Sequence, residues 1–496
     1  MKEIEIWADS FHEGMWCCDN ICEYLEKQGY NYKIDYLDGF IPHYQFFQGD
    51  KLVLDIVVYG SYKSWNPIPK KISELIDWGK PDFVAYSPSD DKILFAVEET
   101  AATPTGNQAM QRCERQYGSA RLRIPYWYFV SEYGEHADGG VRRDNIWPSI
   151  AAIKLSIIKK TLCLVLHYSD LENVEDYNSG SGLNLLFSSL SKIVMNYIAN
   201  IEILSNLEEL ITLQYKEMMT FITSQWENVI DFLPSKQLLE KDETAKSLAR
   251  FALNKETKED ENLVKSILVW PETSGIPQTV LMQQVGKPLI KYDRLSQLLE
   301  NDVTQNKCYI LSNNAGSGKP TTEDKISGWI NEQEKMFRKG KPLNPPAVFT
   351  MKITDFPKTE NGNIHVTTSK NIVYLYDKWV DLKNAIESAY PRLRGKLTNI
   401  PDEIPVFLYL SNSLKPGRLF GDPYTGQLSC YSTCFGKFDQ KPRAVVVYFP
   451  HQAYTQAFDS HGKVVKNKGT TLYSELTDYI IFNAGVAVSL KNEEVL

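Results

Sequence analysis

The sequence predicts an α/β protein: a mixed sheet flanked by helices, then a helical module, then a β-rich α+β domain at the C-terminal end. Three observations predict it. Short apolar runs alternate with helical patterns over the first third of the chain. The middle keeps apolar residues at three- and four-residue spacing, and the last part returns to short runs rich in β-branched and aromatic residues. At 496 residues the chain is too long for one hydrophobic core. The expected division is 1–175, 176–270 and 271–496.

In order, the first part offers a strand over Glu3–Trp7, a helix near Asn20–Gln28 and a strand over Leu52–Val58. Pro69 opens a helix over Lys70–Trp78, as proline suits a first turn. Strands follow at Asp82–Tyr86, Ile93–Val97, Tyr126–Val130 and Leu162–His167. A helix over Asn107–Arg121, entered through the turn residues TPTGN, separates the second and third of these. From Ser181 to Val264 the periodicity is helical, and the charged run LNKETKEDENLVK reads as an exposed boundary segment. The last part carries PAVFTMKI, NIVYLY, IPVFLYL and RAVVVYF as strands, punctuated by turns such as KPGRLFGDPYTG.

Composition narrows the function. With 43% apolar, 12% aromatic and 23% charged residues the chain is globular. A net charge of −8 argues against a protein that coats nucleic acid non-specifically, and leaves room for a local basic groove. No apolar stretch approaches a bilayer-spanning length, and the start MKEIEIWADSFHEG lacks the features of an export signal, so a cytoplasmic protein without membrane attachment is expected. The 8 cysteines form no paired CxxC knuckles, and the 7 histidines show no HxxxH spacing. Cys430, Cys434 and His451 lack a fourth ligand. NNAGSGKPTTED fails the phosphate-loop pattern, with Asn313 and Pro320 where Gly and Ser or Thr are needed.

The residues that carry chemistry lie around KPDFVAY and KILFAVEET. Asp82 opens one strand, SPSDDK turns the chain, and Glu98 closes the next, which sets two carboxylates side by side in a sheet. Such a pair suits Mg²⁺, which is held by one or two carboxylates with waters and phosphate. Alternation places Lys92, Leu94, Ala96, Glu98 and Thr100 on one face and Ile93, Phe95, Val97 and Glu99 on the other. The bulky face is expected in the core, and small Ala96 leaves space beside Glu98. Gln108, Gln111, Arg112 and Arg115 form one stripe on the following helix, and arginine recognises phosphate bidentately. The bland alternative is that Arg112 or Arg115 pairs with Glu99. Glu74, on the preceding helix, is a weaker candidate for a further metal ligand.

Pro81–Asp82 followed by Glu98–Glu99–Thr100 resembles the PD-(D/E)xK core of restriction-type nucleases. The resemblance covers the first 170 residues or so, and implies a restriction-endonuclease-like sheet over 1–175, with 271–496 recognising the DNA target. It assigns Asp82 and Glu98 to Mg²⁺, and puts Thr100 in the place of the family's water-positioning lysine. Gln111 matches a glutamine that many such nucleases carry on this helix, and Arg112 and Arg115 would steady the phosphate. The implied activity is that of a type II restriction endonuclease cutting double-stranded DNA at a specific sequence, as a possible homodimer, with a cognate DNA methyltransferase encoded nearby. A defence or repair nuclease of the same fold and a non-catalytic DNA-binding protein are the rivals.

Overall fold

A computed structural model describes residues 1–60, 62, 67–100, 110–135, 141–143, 146–168, 181–224 and 241–269. It also describes shorter segments beyond 290, chiefly 371–376, 391–402, 406–411, 445–448, 477–482, 486–490 and 492–496. The chain divides into two compact units: 1–104, 112–135 and 141–270 form the first, and 105–111, 136–140 and 271–496 the second.

The first unit is a mixed eight-stranded sheet flanked by helices. Strand β1 (Lys2–Ala8) leads into helix α1 (Phe11–Lys27), and β2 (Asn31–Leu37), β3 (Ile41–Gln48) and β4 (Lys51–Gly60) follow as an antiparallel meander. After α2 (Lys70–Ile76) come β5 (Phe83–Ser87), β6 (Lys92–Thr100), α3 (Cys113–Arg121) and β7 (Tyr126–Ser131). A small hairpin of β8 (Tyr133–Glu135) and β9 (Val141–Arg143) precedes α4 (Ile146–Lys159) and β10 (Cys163–Tyr168). The strand order is β10-β7-β6-β5-β1-β4-β3-β2. β1 runs parallel to β4, β6 to β7 and β7 to β10, while β5 lies antiparallel between β1 and β6. The carboxyl ends of β1, β4, β6, β7 and β10 therefore share one edge of the sheet with the start of β5.

Two local signals extend the elements read from sequence. Helix α1 begins at Phe11, because Ser10 caps it by accepting the Glu13 N–H at 3.3 Å, and its apolar stripe of Cys17, Cys18, Ile21, Cys22 and Leu25 is buried. A Cβ on Gly14 would come within 2.4 Å of Val58 Cγ1, so glycine is what lets this helix lie close on β4. The β2–β3 hairpin turns at Asp38 and Gly39, both with positive φ (52° and 80°).

The central strands are buried on both faces. In β6 the residues Ile93 to Glu98 are all buried, so Leu94, Ala96 and Glu98 lie in packed surroundings as fully as Ile93, Phe95 and Val97. The expectation of a single core face is corrected: a strand covered by helices on both sides reads as a continuous apolar run. The same need for cover explains the helical region. Helices α5 (Ser181–Ile198), α6 (Glu208–Ser224), α7 (Asp242–Ala252) and α8 (Lys258–Val269) pack against α1, α4, β7 and β10. The stretch 176–270, expected as a separate connecting module, thus belongs to the same compact unit as the sheet. Trp127 Nε1 donates to Gln214 Oε1 at 3.2 Å, and Tyr197 and Ser87 share a 2.5 Å hydrogen bond, tying α6 and α5 to the strands. The charged run is mostly exposed, as expected, but Asp260 within it is buried and accepts from Ser247 Oγ at 2.6 Å and Arg250 Nε at 2.6 Å.

In the second unit, β13 (Asn371–Tyr376), β14 (Val406–Ser411), β15 (Val445–Tyr448), β16 (Tyr479–Phe482), β17 (Val486–Ser489) and β18 (Glu494–Val495) form a six-stranded mixed sheet in that order. Two-residue strands at Ile290–Lys291 (β11) and Tyr309–Ile310 (β12) pair beside it in sequence. PAVFTMKI and NNAGSGKPTTED lie outside the described residues, as does most of GDPYTG. No helix among the described residues is long and apolar enough to cross a membrane.

Candidate functional site

The carboxyl edge of the first sheet gathers its acids by register. Ala8 pairs with Phe83 and Phe83 with Val97, so the next residues, Asp9, Asp82 and Glu98, emerge side by side. The Asp9 N–H donates to the Asp82 carbonyl at 2.9 Å, and the Glu99 N–H donates to Asp82 Oδ2 at 2.6 Å. Tyr62 donates its hydroxyl to the Pro81 carbonyl at 2.8 Å and carries Lys80 Nζ 5.0 Å from its ring centre, while Lys80 pairs with Asp9. Asp82 is thus fixed on both sides by backbone.

Helix α3 supplies the counter-charge. Gly118 permits its close approach, since a Cβ there would lie 2.2 Å from Trp78 Cβ, and Gly79 does the same beneath Arg115. Arg112 donates to Glu98 Oε1. Arg115 Nε stands 3.1 Å from Glu98 Oε2, but its N–H is given to the Lys80 carbonyl at 2.6 Å, so Oε2 receives charge and no hydrogen bond. Arg115 Nη1 also reaches Glu114 Oε1 at 3.1 Å.

Carboxyl groups outnumber these cations. Asp9, Glu13, Asp82, Glu98, Glu99 and Glu114 are set against Lys80, Arg112 and Arg115. Burial pushes the Asp82 carboxyl well above the ordinary carboxylate range, and the Glu98 charge adds to it, against the Glu99 N–H and Arg112. Burial likewise raises Glu98, opposed by Arg115 and Arg112. Glu99 is pushed up to about 7, by burial first and then by the charge of Glu98. Glu99 Oε1 and Glu13 Oε2 are buried carboxylate oxygens with no hydrogen-bond donor.

The arginine pairing falls on the other glutamate from the one expected. Arg112 and Arg115 both pair with Glu98 rather than Glu99, while Glu98 Oε2 and Glu99 Oε1 each lack a hydrogen-bond donor. The reason is geometric: Glu98 points to the face covered by α3. Thr100 is buried within β6, and its carbonyl accepts the Tyr168 hydroxyl at 3.0 Å. Gln111 falls in the 3₁₀ turn Met110–Arg112, with its side chain outside the described residues, as is the whole of Gln108. The helix expected from Asn107 is described only from that turn onward. Glu74 is half-buried on α2 and pairs with Lys70 at 3.8 Å. Glu13 was missed by the sequence reading, although Ser10 and Glu13 have the capping-box spacing that places it at the first turn of α1, where its charge acts on Asp82 and Glu99.

Among the described residues no group of three or more His, Cys, Asp and Glu forms a ready metal cage. Cys430 and Cys434 are buried, and His451 lies outside the described residues. Mg²⁺ needs no such cage, since one or two carboxylates with waters suffice. The donor set fits a hard cation: oxygen ligands only, more carboxyl groups than cations, and buried carboxylate oxygens lacking donors on Glu13, Glu98 and Glu99. No family model matches the chain, and searches of curated proteins and of solved structures found no match.

Proposed function

We propose that the first unit is a Mg²⁺-dependent deoxyribonuclease of the PD-(D/E)xK kind, cutting double-stranded DNA at a specific sequence as a type II restriction endonuclease does. The observation that carries this reading is the placement of Asp82 and Glu98 on adjacent antiparallel strands, followed by a helix and a parallel strand, at the sheet edge where open α/β sheets bind ligands. The restriction-endonuclease-like character of the sheet and a target-recognition role for 271–496 belong to the same proposal.

Asp82 and Glu98 would hold the ion, with Glu99 and Glu13 presenting unpartnered oxygens beside them. Bound Mg²⁺ supplies charge neutralisation and a more acidic water for attack on phosphorus. Arg112 and Arg115 pair with Glu98 and oppose the burial that raises its carboxyl, and they are the cations at this edge able to take a phosphate bidentately. Thr100, in place of a lysine, brings no base, so proton removal from the attacking water falls to a carboxylate. Glu99 suits that work, because its carboxyl titrates at about 7.

A second reading is favoured by one observation. The ion pairs of Arg112 and Arg115 with Glu98 are also what a non-catalytic DNA-binding protein would use to satisfy a buried acid. One experiment separates the two: wild type, Asp82→Ala and Glu98→Ala are incubated with duplex DNA and Mg²⁺. Sequence-specific cuts lost in both variants support the nuclease, whereas DNA binding without metal-dependent cutting supports the second reading and overturns the first.

A further inference from the structure

We propose that β2 pairs with β2 of a second copy of this chain, antiparallel about a two-fold axis at Ile34, joining two eight-stranded sheets into one. This pairing is independent of the chemistry proposed for Asp82 and Glu98.

The two edges of the sheet differ. β10 is buried beneath α4, α5 and α6. β2 is exposed along all seven residues and carries no proline, and its ladder to β3 runs without a bulge. Its surface is apolar as well as open: Tyr32, Ile34, Tyr36 and Leu37, with Phe40 in the turn, are among the exposed large hydrophobic residues. Natural edge strands are shortened, bulged or charged to prevent such pairing, and long apolar edges invite it.

The sequence of β2, NYKIDYL, is self-complementary when reversed. With Ile34 opposite Ile34, Lys33 of one copy falls opposite Asp35 of the other, and Asp35 opposite Lys33. Tyr32 falls opposite Tyr36 in the same way. Opposite charges and aromatic pairs directly across an antiparallel ladder both stabilise it. Backbone direction agrees with this register. Pro42 stands opposite Tyr36 and has no N–H to give, and the Tyr36 N–H goes instead to Asp35 Oδ1 at 2.7 Å. Tyr32 and Ile34 thus turn their backbone groups to the open edge, while the Tyr36 carbonyl accepts the Gly39 N–H at 3.3 Å within the turn, so the cross-axis ladder centres on the Ile34 pair. A two-fold contact of this kind closes at two copies, unlike a head-to-tail one. Another protein's strand could use the same backbone groups, but only this register matches Lys33 and Asp35 in both directions.

The test is sedimentation equilibrium of the full chain, with the variants Lys33→Asp, Asp35→Lys and the double exchange. Each single variant places like charges opposite one another twice across the axis and should weaken dimerisation about tenfold or more. The double exchange restores opposite charges and should return the wild-type constant. A monomeric wild type at about 100 μM overturns the proposal. So does a dimer that the single variants leave unchanged, or one that the double exchange fails to rescue; circular dichroism of each variant excludes loss of fold as the cause.

Discussion

Glu99→Gln tests the electrostatic picture of the acid edge apart from any activity. The substitution keeps shape and removes the charge. A carboxyl raised from 4.5 to about 7 by folding holds its proton longer in the native state. Stability is therefore fully present below the unfolded value and is lost as pH rises towards 7. Above pH 7 the buried charge costs up to roughly 3 kcal/mol relative to a neutral group. Glu99→Gln should then match wild type near pH 4 and exceed it at pH 8, by a melting shift of order 5–10 °C. Thermal unfolding of both proteins across pH 4–8, without divalent ions, reads this directly. Added Mg²⁺ should raise the wild-type melting point at pH 8 more than that of the variant. Equal stability at pH 8, or a variant less stable there than wild type, would refute the reasoning that burial and the neighbouring charge of Glu98 raise this group.

Gly118→Ala should cost about 1–3 kcal/mol and displace α3, because the new methyl meets Trp78 Cβ at 2.2 Å; urea unfolding gives the cost, and reduced DNA cleavage would report the displaced arginines. Asp260→Asn should destabilise the first unit by about 2–4 kcal/mol, since Arg250 and Ser247 lose a buried carboxylate that joins α7 to α8; a matching loss with Asp260→Ala and little effect at exposed Glu261 checks that the cause is local.

The acid edge was legible in the sequence as far as local rules reach. An apolar run ending in acids, one turn after Pro81–Asp82, specifies two neighbouring strands, and the structure sets Asp82 against Glu99 as neighbours. Which glutamate meets the arginines was not legible, because it depends on the side of the sheet that α3 covers, a choice made by Gly79, Gly118 and Trp78. Strand alternation separates Glu98 from Glu99, but it does not say which face is apolar when both are buried. The β2–β3 hairpin carried a readable signal in Asp38–Gly39, and the start of α1 carried one in Ser10 and Glu13. Gly14 and Pro42 weakened the helical and strand patterns around them, and tertiary packing decided in favour of both elements. The union of 176–270 with the sheet was beyond reach, since an amphipathic helix records that it has a covered face and not what covers it.

The central claim is that Asp82 and Glu98 serve metal-dependent cutting of DNA at a defined sequence. Its most direct measurement is sequencing of the DNA ends produced from a long duplex by the full chain with Mg²⁺, with Asp82→Ala in parallel. The account predicts ends that share one recurring sequence in wild type and none above background in Asp82→Ala or with a chelator. DNA left uncut by a folded wild type that binds it, or ends that persist in Asp82→Ala, would contradict it.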